Sequence, residues 1–124
     1  AEKRLRQIYP VLGDQYLRSG KIIEATRIFE RLIQLDAATP EVHNNLALIY
    51  GRTTQHKEAI ENAQQALKLD PDFAPAYFTL ATIYDEAAQI AEALKHYRVF
   101  LELGTKNDRL AQRAKVRIEE LTGP

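Results

Sequence analysis

The sequence predicts an all-α fold: an α-solenoid of three antiparallel helical hairpins closed by a capping helix. Three observations lead there. Apolar and small residues recur in register every 34 residues. Each interval holds two apolar stripes at helical spacing, with a two-residue break between them. One further amphipathic segment follows the last interval.

The register is visible column by column. Tyr9, His43 and Tyr77 align, as do Leu12, Leu46 and Leu80, then Gly13, Ala47 and Ala81, then Tyr16, Tyr50 and Tyr84. Ala25, Ala59 and Ala93 align, and so do Leu35, Leu69 and Leu103. Two more columns are apolar with varying size: Phe29, Ala63 and Tyr97, and Leu32, Ala66 and Phe100. In the third unit Tyr77, Leu80, Ala81 and Tyr84 run i, i+3, i+4, i+7 along one helix, and Ala93, Tyr97, Phe100 and Leu103 run i, i+4, i+7, i+10 along a second. Ser19-Gly20, Thr53-Thr54 and Ala87-Ala88 leave room only for a tight turn. The small columns mark where paired helices cross, since a larger side chain there would hold the backbones apart.

Taken in order, the elements have local support. Pro10 marks the start of the first helix or kinks it, and Gly20 ends it. Thr39-Pro40 reads as an N-cap followed by a first-turn proline. Asp72 caps the third hairpin, with Pro75 tolerated in its first turn, and Gly104 closes it. Asn107 or Asp108 starts the last helix. Leu110, Ala114, Ile118 and Leu121 share one of its faces, while Arg113, Lys115, Arg117 and Glu120 lie on others. Such a lid covers the apolar face that the last hairpin would leave open. The expected organisation is a single domain over 1–124, with units at about 6–39, 40–73 and 74–106 and a capping helix at 107–121.

Composition narrows the function. Of 124 residues, 45% are hydrophobic and 27% charged, which fits a soluble folded chain and not a disordered one. Lys plus Arg equals Asp plus Glu at 17 each, so no basic excess points to a nucleic-acid partner. No apolar run approaches the roughly 20 residues that a membrane helix needs, so no membrane partner is expected. The absence of cysteine excludes disulfides, thiolate metal sites and a cysteine nucleophile. It suits cytoplasm or periplasm, with the cytoplasm favoured. With no methionine, Ala1 is not a translational start, and a processed chain or a piece of a longer one is expected.

Nothing in the chain assembles catalytic chemistry. Ser19, the only serine, sits in a turn, and the five glycines make no phosphate loop. His43, His56 and His96 include no i, i+4 pair for a metal. His43 replaces an aromatic at a packing position, and Asp85-Glu86 and Glu119-Glu120 read as surface. The expectation is no enzyme, no cofactor and no metal.

The pattern of Tyr77, Leu80-Ala81, Tyr84, Ala93 and Tyr97 resembles the tetratricopeptide repeat, and the resemblance covers about residues 6–121. His43 in the first aromatic column departs from it. So does the closing proline, which is present only as Pro71, with Ala37 and Thr105 in its place elsewhere. The resemblance implies a right-handed superhelix whose first helices line a concave groove, with a protein or peptide ligand in that groove. It places Arg18 from the first unit there, Asn44, Asn45, Leu48 and Arg52 from the second, and Phe78, Thr79 and Thr82 from the third. Asn45 occupies the family's usual peptide-contacting position. An asparagine amide both donates and accepts, so it can read a peptide backbone of any sequence. Phe78 is either an exposed anchor or packed on the capping helix. Arg18 and Arg52 stand 34 residues apart, one above the other.

Two other roles stay open: a segment of a longer repeat array or homo-oligomer, with self-association through its ends, and RNA binding, which the zero net charge and the strict 34-residue interval oppose. Family members that grip the acidic tails of heat-shock chaperones use a clamp of Lys, Asn and Arg. The matching positions here are Pro10, Asp14, Asn45, Pro75 and Thr79, and only Asn45 fits. The chain is therefore not expected to be of the chaperone carboxylate-clamp type.

Overall fold

The computed structural model describes residues 2–123. Seven helices follow one another: α1 (Glu2–Arg18), α2 (Ile22–Gln34), α3 (Pro40–Arg52), α4 (His56–Leu69), α5 (Ala74–Glu86), α6 (Ile90–Leu103) and α7 (Asp108–Thr122). No strand occurs among the described residues. The helices pair as α1 with α2, α3 with α4 and α5 with α6. The pairs then stack, α2 on α3 and α4 on α5, with α3 also reaching α5 and α7 lying on α6. The result is an all-α helical-repeat solenoid.

The three turns inside the hairpins share one device. Gly20, Thr54 and Ala88 stand 34 residues apart and all have positive φ, at 78°, 57° and 60°. In each turn the next residue's N–H returns to a carbonyl five residues back: Lys21 to Tyr16, Gln55 to Tyr50 and Gln89 to Tyr84, at 2.8–2.9 Å. Only the first turn uses the residue type that takes this conformation without steric cost. Thr39 caps α3, its side chain accepting from the Val42 N–H at 3.2 Å, and Asn107 caps α7 through the Leu110 N–H at 3.1 Å. Two expectations need correction. α5 starts after Phe73, which has no side-chain capping bond, so Asp72 does not cap it. Pro10 does not start α1; the helix begins at Glu2 and runs through it, and with no N–H at Pro10 the Arg6 carbonyl lacks its helical partner.

The core is a row of three clusters. Phe29, Leu32, Val42, Leu46 and Ile49 join the first two hairpins. A small alanine-rich cluster of Ala47, Ala63 and Leu80 joins the second to the third. Phe78, Ala81, Tyr97, Phe100 and Ala114 join the third hairpin to α7. The crossing alanines Ala25, Ala59 and Ala93 are completely buried. At Gly13 even a methyl group is too much, because an added Cβ would lie 2.6 Å from Cε1 of the buried Phe29 ring. The column of Leu35, Leu69 and Leu103 is less uniform than its spacing implies. Leu35 is buried, whereas Leu69 and Leu103 are the last residues of their helices and remain exposed.

Candidate functional site

The inner helices α1, α3 and α5 present the eight sequence-selected residues to two neighbouring clefts. The first, of 570 Å³, is lined by Asp14, Arg18, Asn44 and Asn45, with Phe73 and Asn107 opposite. The second, of 290 Å³, is lined by Leu48, Arg52, Phe78, Thr79 and Thr82. Arg18 and Arg52 therefore fall in different clefts and do not converge on one anion.

The two asparagines differ. Asn45 is half-buried and donates through Nδ2 to Asp14 Oδ1 at 3.3 Å, tying α3 to α1. Asn44 is 8% exposed, and its Oδ1 is buried with no hydrogen-bond partner. A buried amide oxygen left unpaired costs about 1–3 kcal/mol, so its presence in a folded helix calls for a reason.

Thr79 and Thr82 have committed their hydroxyls to helix carbonyls, Pro75 O at 3.0 Å and Thr79 O at 2.8 Å. Phe78 is buried, edge-on to Tyr97 and Phe100 at centroid distances of 5.8 and 5.1 Å, with the Arg113 guanidinium 5.4 Å above its ring. Of its two expected states, packing against the capping helix is the one observed. His43 is half-buried and pairs through Nδ1 with Asn62 Oδ1 at 3.2 Å, a packing role. No group of three His, Asp or Glu side chains gathers as metal ligands do among the described residues.

Sequence reasoning missed the contribution of α7. A third cleft of 610 Å³ lies between α5, α6 and α7, walled by Phe78 and Val116 and edged by Arg109, Arg113 and Arg117. Arg117 grips Asp85 with two bonds, Nε to Oδ2 at 2.7 Å and Nη2 to Oδ1 at 2.8 Å, and Tyr97 donates its hydroxyl to the same carboxylate at 3.1 Å. Asp85 is thus no ordinary surface charge. The Arg117 hydrogen bond holds its carboxyl below the ordinary value of 3.8 against the opposing effect of burial. Burial, with the Asp85 charge beside it, pushes the Tyr97 phenol up. The available signal was spacing: Arg109, Arg113 and Arg117 recur every four residues on one helix face.

Comparison with known proteins decides the family. Tetratricopeptide repeat models match residues 40–73 and 62–95. The chain belongs to the tetratricopeptide repeat family. It is 30% identical over 103 residues to the small glutamine-rich tetratricopeptide repeat-containing protein 2 of Mycosarcoma maydis, covering 83% of this chain and 28% of that protein. The chain thus spans about a quarter of the length of that relative.

Among solved structures, the second tetratricopeptide domain of human RPAP3, in complex with the HSP70 peptide SGPTIEEVD, matches with a TM-score of 0.82 and 20% identity, covering 100% of both chains. The Yersinia enterocolitica type III secretion chaperone SycD, in complex with a peptide of the translocator YopD, matches with a TM-score of 0.86 and 22% identity, covering 98% of this chain and 94% of that one. Proteins of this fold are typically interaction modules without catalysis.

The RPAP3 domain overturns one expectation. A fold that matches this chain over its whole length carries a chaperone peptide ending in EEVD, so the exclusion of the chaperone-binding type does not stand. That exclusion considered five positions on α1, α3 and α5 and left out the arginine edge of α7. No helix among the described residues is long and apolar enough to cross a membrane.

Proposed function

We propose that this chain binds an extended peptide segment of a partner protein in the concave groove, as one non-catalytic domain with repeats at 6–39, 40–73 and 74–106 and a cap at 107–121. Asn44, Asn45, Arg18 and Arg52 are the polar contacts of that groove, and Leu48, Phe78, Thr79 and Thr82 its walls. The observation that carries the reading is the asparagine pair on α3 lining a 570 Å³ cleft. Half-buried Asn45 makes one side-chain bond, to Asp14, and a peptide main chain supplies donors and acceptors every residue for the rest of its amide. Since similar domains hold chaperone and translocator peptides, chaperone C-terminal segments are the first ligands to try, and the cysteine-free sequence suits the cytoplasm where such partners would be met.

Calorimetric titration with SGPTIEEVD, alongside selection from a displayed peptide library, tests the reading. The expected outcome is saturable binding of SGPTIEEVD or of a selected peptide, lost in an Asn44→Ala, Asn45→Ala double variant that still melts cooperatively. Binding indifferent to that double variant, or no bound peptide at all, would contradict it.

One observation favours a second role. Ile8 and Val11, one helical turn apart on α1, are 50% and 60% exposed at the free end of the stack. A further repeat or a second copy would bury them, and sedimentation showing association that Val11→Glu abolishes would support that use of the end.

A further inference from the structure

The α7 cleft holds two cations without partners. Arg117 is occupied by Asp85, with Glu120 3.5 Å away. Glu86, the remaining carboxylate on the rim, has His56 at 3.9 Å. Arg109 and Arg113 have no carboxylate within 4 Å among the described residues. Stacking on Phe78 orients the Arg113 guanidinium while leaving its edge N–H groups free to donate.

This cleft also continues the groove. It shares Phe78, Thr82, Glu86 and Arg113 with the cleft between α3 and α5, so one extended chain can pass from Arg52 to Arg109. The lining is formally balanced, Arg109, Arg113 and Arg117 against Asp85, Glu86 and Glu120, but each of those carboxylates already has Arg117 or His56 within 4 Å, which leaves Arg109 and Arg113 as the charges open to an acidic ligand. At the clamp positions of α1 and α5 stand Pro10, Asp14, Pro75 and Thr79, none of them a cation, and Arg18 of α1 lies in the separate 570 Å³ cleft.

We infer that Arg109 and Arg113 form a carboxylate seat for an acidic peptide, so that the capping helix selects acidic partners for the groove. The inference rests on the groove-binding reading above. The asparagines read main chain whatever the sequence, and the seat adds the preference for negative charge. Guanidinium–carboxylate bonds lose strength as salt screens them, which gives the seat its own signature.

The full chain is titrated with SGPTIEEVD, with its C-terminal amide, and with the amide in which both glutamates and the aspartate are made neutral. The expected result is at least about tenfold weaker binding of SGPTIEEVD to Arg109→Gln, Arg113→Gln, with the neutral peptide bound equally by both proteins. Arg109→Gln alone leaves the Phe78 contact intact, so it should melt as wild type does and still lose part of the affinity. Loss on amidation would assign the seat to the terminal carboxylate; loss only on neutralising the side chains would assign it to those, and either supports the proposal. Equal affinity of wild type for acidic and neutral peptides, or unchanged acidic binding by the double variant, overturns the seat and leaves the groove reading standing. Failure of wild type to bind any of the three overturns the seat, and failure to bind any library-selected peptide as well overturns both.

Discussion

At the scale of single residues, the chain keeps side chains that stability alone would not select. Asn44 is the clearest, buried within a helix with an unpaired acceptor. Asn44→Ala removes that acceptor and installs a better helix former, so it should raise stability by about 1 kcal/mol in chemical denaturation while weakening peptide binding. A variant both less stable and fully competent to bind would mean that Asn44 serves packing. Gly13 is the opposite case, set by packing alone. Gly13→Ala gains about 1 kcal/mol of helix propensity. Against that stands a contact of 2.6 Å with a ring that is 1% exposed and has nowhere to go. Displacing it costs about 1–3 kcal/mol, so a net loss of stability is expected, and an unchanged denaturation midpoint would show that the ring moves freely. Asn45→Ala should barely shift the melting temperature, since it breaks one exposed 3.3 Å bond to Asp14.

At the scale of elements, the 34-residue register repeats the turns as faithfully as it repeats the core. Thr54 carries a branched side chain in the left-handed conformation that Gly20 takes without cost. Thr54→Gly relieves about 1–2 kcal/mol of backbone strain and forfeits about 0.5–1 kcal/mol of chain entropy. A gain of up to about 1 kcal/mol should follow in thermal melts, and a loss would show that the Thr54 side chain contributes in some other way.

The attachment of α7 to α5 has its own pH dependence. The Arg117 bond lowers the Asp85 pKa in the folded protein, so the unfolded state binds more protons as pH falls. The contribution is therefore fully present above about pH 4 and is lost as pH drops through the lowered value. Asp85→Asn should flatten that part of the stability–pH curve. An identical acid limb in wild type and variant would count against the pair.

Across the whole molecule, what local spacing and residue type settle is legible in the sequence, and what depends on distant elements meeting is not. The three hairpins, their crossing alanines and the Thr39 cap follow from spacing that any helix pair must satisfy. The two columns that mix aromatics, leucine and alanines are also understandable. Ala63 and Ala66 are as buried as Phe29 and Phe100, so what repeats at these positions is burial and not side-chain size. α7 has no repeat to be compared with. Its apolar face was readable as a lid, but the adjoining arginine face came to line a cleft only when the stack placed it beside α5. Asp85 looked like solvent-facing charge for the same reason, because Arg117 lies 32 residues away in sequence.

The whole-molecule claim is that the inner surface from α1 to α7 is one peptide groove. Amide chemical-shift mapping during titration with SGPTIEEVD tests it most directly. The account predicts perturbations at Asn44, Asn45 and Arg52 that continue through Thr82 to Arg113 and Arg109, with the outer helices α2 and α4 silent. Perturbations confined to α2 and α4, or to Ile8 and Val11 at the end of the stack, would contradict it.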